Sequence, residues 1–189
     1  MVDTTKPMKT VIASIFVLSV LFGCSSTKNS ISDNDPIHTL IASKSFEFTA
    51  DWANPMVTQS MNAVANSGLI PPGSNVARIN LAGNPNYLKV FGDSVSANLP
   101  YYGERQFGGG YGSVTGIEFN GIPEDYVQTI DSDKGKYHIS FNIRDKSDNY
   151  HVTMAIYPSK STSVSVSLSN RNSIRYEGAI KALENSTNE

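Results

Sequence analysis

Cysteine occurs once in the 189 residues, at Cys24, and tryptophan once, at Trp52. A single thiol excludes an intrachain disulfide and a thiolate metal set, and the chain after Cys24 has no thiol nucleophile. Charge is scarce as well: Asp, Glu, Lys and Arg make up 17% of the chain, below the roughly 25% usual for soluble domains. With a formal net charge of −2 there is no basic excess to meet a phosphate backbone, so nucleic acid is not an expected partner. The three histidines, His38, His138 and His151, do not pair at chelating separation in any register considered below, and surface positions are expected for them. No phosphate loop, dinucleotide fingerprint, G-x-S-x-G elbow or S-x-x-K occurs. No metal and no cofactor is therefore expected. A long hydrophobic run is also missing. The uncharged stretch from Val11 to Phe22 has twelve residues, which as a helix reach about 18 Å, short of a ~30 Å hydrocarbon core.

What that stretch does fit is a secretory leader: Lys6 and Lys9 precede it and a small residue, Gly23, closes it. Met8-Lys9-Thr10 would itself be an ordinary start, which would make residues 1–7 an extension of the reading frame. The sequence Leu21-Phe22-Gly23-Cys24 resembles the bacterial lipobox, with Phe22 bulkier than the motif usually carries. The resemblance implies cleavage after Gly23 and lipidation of Cys24 with palmitate-type acyl chains. One chain would hold the protein only marginally, because each buried CH₂ contributes about 0.8 kcal/mol; two or more anchor it stably. The expected address is the cell envelope, on the outer membrane facing the periplasm. Loss of Asp3, Lys6 and Lys9 with the leader moves the net charge from −2 to −3. Residues 24–35 are then a lipidated cysteine and polar tether, 36–182 a single domain, and 183–189 a disordered tail.

Within the domain, Asp35 and Pro36 announce one short helix through Lys44, as cap and first helical residue. Residues 46–50 alternate as a strand, and 52–76, holding Pro55, Gly68, Pro71, Pro72 and Gly73, read as mostly loop. Gly92-Asp93 is a two-residue hairpin signal that sets Val90 against Val95 and Leu88 against Ala97. Further on, Tyr137, Ile139, Phe141 and Ile143 alternate with polar neighbours, as do Tyr150, Val152, Met154 and Ile156. A loop over 145–148 sets Ile143 against Tyr150, Phe141 against Val152 and Ile139 against Met154. In that register His138 faces Ala155 and His151 faces Asn142. A turn at 159–161 then pairs Ile156 with Val164 and Met154 with Val166. A turn at 170–172 pairs Leu168 with Ile174 and Val166 with Tyr176. The expected fold is all-β, an antiparallel meander with one dry face. It closes as a strongly curved sheet, a flattened barrel or a two-layer sandwich, with strands near 46–50, 77–99 and 115–130 supplying the second side.

Leu99-Pro100-Tyr101-Tyr102-Gly103, Gly116-Ile117-Glu118-Phe119 and the run from Asn170 to Gly178 (Asn-Arg-Asn-Ser-Ile-Arg-Tyr-Glu-Gly) together resemble the bacterial lipoprotein family catalogued as domain of unknown function 4251. The resemblance covers about residues 40 to 180 and implies fold and location without an activity. Where that family often has Arg-Ala after the glycine, Glu104-Arg105 stands here.

Leu99 to Tyr111 is the segment richest in recognition chemistry. Tyr101, Tyr102, Arg105, Phe107 and Tyr111 lie among Gly103, Gly108, Gly109 and Gly110. Glycine permits close backbone approach, and Tyr and Arg combine area with hydrogen bonding. The alternative is a strand-closing plug in which Tyr101 or Tyr102 caps the core. Asp131 to Gly135 lacks a third acidic ligand and a closing glutamate, so it reads as a hairpin turn and not a calcium loop. Glu118, Glu124 and Asp125 are the carboxylates a hydrolase would use, but nothing fixes two at a working separation. Trp52 is expected at a core edge, and Arg171 and Arg175 in the turn and on the outer face. The functional expectation is a non-catalytic binding module for a small amphipathic ligand or an envelope protein. An assembly scaffold with a filled core is the second reading, and a hydrolase the third.

Overall fold

The computed structural model describes residues 35–104, 116–145 and 148–183. Helix α1, Pro36–Ala42, starts where Asp35 accepts a hydrogen bond from the Ile37 N–H at 3.1 Å, and it buries Ile37 and Ile41. Strand β1, Ser45–Pro55, follows at once. A second helix, α2 (Gln59–Asn66), lies in the stretch read as loop. Its signal is local: Thr58 caps it by accepting the Met61 N–H at 3.2 Å. Met61 is its one buried residue, so no apolar stripe betrays it amid the surrounding prolines and glycines.

The remaining strands are β2 (Ile79–Asn80), β3 (Tyr87–Phe91), β4 (Ser94–Leu99), β5 (Ile117–Gly121), β6 (Glu124–Asp131), β7 (Lys136–Asp145), β8 (Asp148–Ile156), β9 (Ser161–Leu168) and β10 (Ile174–Ala182). All join one antiparallel sheet in the order β5-β4-β3-β1-β10-β9-β8-β7-β6, with β2 beside β1. The β3–β4 register is the expected one, Val90 opposite Val95 and Leu88 opposite Ala97, turned at Gly92 with φ +58°. So is β7–β8, which runs out as far as Asp145 opposite Asp148.

The next two registers differ from expectation by two residues. Met154 faces Val164, not Val166, because the turn is Pro158–Lys160. Pro158 has no N–H to give a ladder. The Tyr157 N–H donates to the Ser161 carbonyl at 2.9 Å, and Lys160 takes the left-handed conformation with φ +67°. Ile174 likewise faces Val166, and Tyr176 faces Val164. The longer connection lets Arg171 turn inward. A shift of two leaves every side chain on its expected face, so the dry face survives both corrections.

Residues β5 and β6 contribute stand at opposite ends of the hydrogen-bonded order, yet only Ile122 and Pro123 separate them in the chain. The sheet therefore curls until both edges meet one bent stretch, which pairs with β4 through its first half and with β7 through its second. Across this closure Phe119 meets Phe141 edge-on at 6.3 Å and Tyr150 at 5.2 Å. The result is a strongly curled half-barrel. Its interior holds Phe46, Phe48, Tyr137, Phe141 and Tyr176, each under 2% exposed. Helix α1 covers one end, where His38 Nδ1 lies 2.8 Å from the Tyr137 hydroxyl, so His38 is half-buried and not a surface residue. The opposite end is the rim that carries Pro55, Leu99, Ile117, Asp148 and Ile174.

Candidate functional site

At that rim the chain leaves β4 through Pro100 and Tyr101. The Tyr176 hydroxyl donates to the Pro100 carbonyl at 2.8 Å from a fully buried ring. Burial above all, and then the neighbouring Tyr101 and Tyr102, push the Tyr176 phenol well above its ordinary pKa. The Tyr101 oxygen lies 2.9 Å from the Asn172 carbonyl and 3.1 Å from the Glu104 carbonyl, so a single hydroxyl proton serves two connecting segments of the rim. Its ring rests beside the Arg171 guanidinium, 5.3 Å away, and folds over Gly103, where a Cβ would stand 2.5 Å from the Tyr101 oxygen. A larger residue there would displace the Tyr101 ring from this position. Tyr102 is half-buried against the core, and burial raises its pKa.

Arg171 was expected in the turn facing outward. It lies inside, with a side chain only 1% exposed, 3.2 Å from Asp148. Its second terminal nitrogen donates to the Gly116 carbonyl at 2.8 Å. Asp148 also sits 3.5 Å from the Tyr150 hydroxyl and the Asn170 amide. Burial first, then the Asp148 charge, push the Tyr150 phenol to about 12. The Asn172 N–H donates to the Glu104 carbonyl at 3.2 Å. The 170–172 turn therefore grips the chain on both sides of residues 105–115: at Glu104 through Asn172, and at Gly116 through Arg171. Glu104 in turn accepts the Thr58 hydroxyl at 2.6 Å, which ties the cap of α2 to the rim. The hydrogen bond from Thr58, followed by that from Ser60, lowers the Glu104 pKa. No sequence periodicity marks Arg171 or Asp148, because Asp148 begins β8 and Arg171 lies in the connection between β9 and β10, where alternation carries no information. The one available cue is arginine within a short polar turn between two apolar strands.

Of the residues singled out from sequence, Tyr101 and Tyr102 meet at this rim; Arg105, Phe107, Tyr111 and Cys24 lie outside the described residues. His151 pairs with Asn142 on the outer face at 2.7 Å and His138 faces Ala155, in the expected register. Among the described residues no three His, Cys, Asp or Glu side chains are grouped to hold a metal ion. Asp131 closes the hairpin turn by accepting the Lys134 N–H at 3.1 Å. Glu118 and Glu124 are exposed on different strands, and Asp125 accepts from Asn142 at 3.1 Å. Trp52 is half-buried beneath the Arg78 guanidinium, 4.2 Å from its ring. Arg175 lies outside, 3.7 Å from Glu177.

The concavities open on the surface. One of about 400 Å³ lies on the outer face of β7–β9 against Asn142, Asn149, His151 and Ser167. Another, about 310 Å³, lies between Lys44, Asp93 and Val95 on one side and Ile122, Pro123 and Tyr126 on the other. Comparison with known proteins matches residues 29–180 to a family model described as a domain of unknown function, DUF4251. No curated protein matches the chain.

Proposed function

The chain belongs to the DUF4251 family, whose description carries no activity, and we propose that it is a non-catalytic binding module, a reading supported by the rim geometry, tethered to the envelope by a lipid on Cys24, which the lipobox resemblance of Leu21 to Cys24 supports. The filled half-barrel is the rigid support, and recognition of an envelope protein takes place at the rim. The observation that carries this reading is the pairing of a packed interior with a 170–172 turn in which buried Arg171 holds Asp148 and the Gly116 carbonyl while the Asn172 N–H holds the Glu104 carbonyl. A buried charge pair is costly to desolvate and is a poor source of net stability, so its place under a rim points to positioning. Tyr102, half-buried against the core at this rim, supplies area and hydrogen bonding together. Asp148 is engaged by the Arg171 guanidinium at 3.2 Å, a partner that holds it as an ion pair in support of the turn.

The test is a photoreactive phenylalanine analogue at Tyr102 in the lipidated chain, with the same group at Lys181 on the opposite end as control. A discrete protein adduct from position 102 alone is expected; equal adducts from both positions would sink the rim. Cys24→Ser should abolish incorporation of labelled palmitate. Continued labelling would remove the anchor from the proposal. A purely structural scaffold is the second reading, favoured by Val127 and Ile130, which stand 48% and 45% exposed on β6. It predicts self-association that Val127→Lys prevents.

A further inference from the structure

We propose that the open seam of the half-barrel is a binding site for a small amphipathic carboxylate, one acyl or aryl group with a single anionic head, held in the roughly 310 Å³ pocket between Lys44 and Tyr126. The site rests on observations separate from those that carry the rim.

The pocket exists because the closure is incomplete. The bent stretch pairs with β7 over Glu124–Asp131 but no longer with β4, whose pairing with β5 ends at Val95 opposite Gly121. Beyond that point Ile122 and Pro123 carry the chain across, and Pro123 has no N–H to extend a ladder. A gap is left, floored by Val95, which is 2% exposed, and walled by Tyr126 and Pro123. Tyr126 cannot readily swing away, since its ring stacks on Phe141 at 6.1 Å and 14°. Ile122, 74% exposed, stands at the edge. The volume is at the lower end of the ~300–1,000 Å³ of small-molecule sites.

One cation is built into this wall. Lys44 Nζ lies 4.9 Å from the centre of the Tyr126 ring and 3.6 Å from Asp93. Its backbone is held at φ +48° by the Gly92 N–H on its carbonyl at 2.8 Å and by its own N–H on the Ile41 carbonyl at 3.2 Å. Glycine or asparagine is the usual residue at such a left-handed helix end. A lysine stands there instead, its ammonium laid over an aromatic wall while the side chain stays 41% exposed, so the charge is positioned and still open to a ligand. The charged group facing it is the Asp93 carboxylate; the Tyr126 ring beside it is uncharged, its phenol pushed by burial to about 12. Asp93 is 89% exposed, so its pairing with Lys44 is screened by water and readily exchanged. A carboxylate whose tail fills the apolar floor can take its place, because the same ion pair then forms beside buried carbon. An amphipathic cation would meet the ammonium first.

The experiment is backbone-amide chemical-shift titration of the mature chain with octanoate below its micelle concentration. Octanol, octyltrimethylammonium and phosphatidylglycerol vesicles are the comparison probes. Saturable shifts at Lys44, Gly92, Asp93, Val95 and Tyr126 are expected with octanoate, weaker ones with octanol and none with the cation. Lys44→Met should weaken octanoate at least tenfold and Lys44→Arg should restore most of it. Asp93→Asn, which removes the competing carboxylate, should tighten it several-fold. Ile122→Asp, at a position 74% exposed, should weaken it while leaving the amide spectrum of the folded chain in place. Shifts scattered over the surface, indifference to Lys44→Met, weaker binding by Asp93→Asn, or response to the vesicles alone would each overturn the proposal. The rim reading is untouched by any of these, since its readout is adduct formation at Tyr102.

Discussion

A Cβ added to Gly178 would stand 2.8 Å from the Ala50 Cα and closer still to the Thr49 carbonyl oxygen. Both neighbours are backbone of β1 at its bulge, where the register shifts between Ala50 and Trp52, so neither can step aside. Gly178→Ala should therefore cost more than ordinary overpacking, about 3 kcal/mol in urea unfolding; a loss under about 1 kcal/mol would mean that the bulge yields. The same bulge is supported from its other side by Asn86, which accepts the Ala50 N–H at 2.8 Å and donates to the Ala50 carbonyl at 3.0 Å. Asp148→Ala leaves the Arg171 guanidinium buried without its carboxylate and should cost about 3–5 kcal/mol, read by the same method. Tyrosine titration sets an alkaline limit. Tyr126 and Tyr150 are both raised to about 12 in the folded chain, chiefly by burial, against about 10 unfolded. A raised pKa means the folded state keeps its protons longer, so this stability is complete below about pH 10 and is lost as pH rises toward 12. Tyr126→Phe should flatten that decline. An unchanged slope would deny the shift.

At the level of strands, the β7–β8 hairpin separates face from face. Phe141 is 1% exposed and lies between the rings of Phe119 and Tyr126, so Phe141→Ala should destabilise by roughly 3–5 kcal/mol. His151, on the other face and exposed, should lose under about 0.5 kcal/mol on change to alanine. Equal losses would mean the faces are reversed. Alternation made this hairpin legible, because a one-residue slip would turn the inward apolar residues of one strand outward. Alternation is blind to a slip of two, and that is where expectation and structure parted, at Pro158 and again at Arg171. Helix α2 escaped for a related reason: with Met61 alone buried, it has no periodic face to read.

For the molecule as a whole, the order of the strands orders their stability. Strands β8, β9, β10 and β1 are paired on both sides, whereas among the described residues β6 has a neighbour only in β7. Amide exchange should thus be slowest at the centre of β8–β9 and follow global unfolding, while β6 opens locally and earlier; uniform protection would contradict an open seam. From the sequence alone came the all-β class, the dry face and the β3–β4 and β7–β8 pairings, because side chains alternating between apolar core and water at period two are a local property of the chain. Only the tertiary structure decided how the sheet curls, that Ile122 and Pro123 carry one bent stretch between its two edges, and that Arg171 turns inward onto Asp148. Those depend on contacts such as Asp148 with Arg171 or Lys44 with Tyr126, between residues far apart in the chain, and no periodicity records which distant side chains will meet.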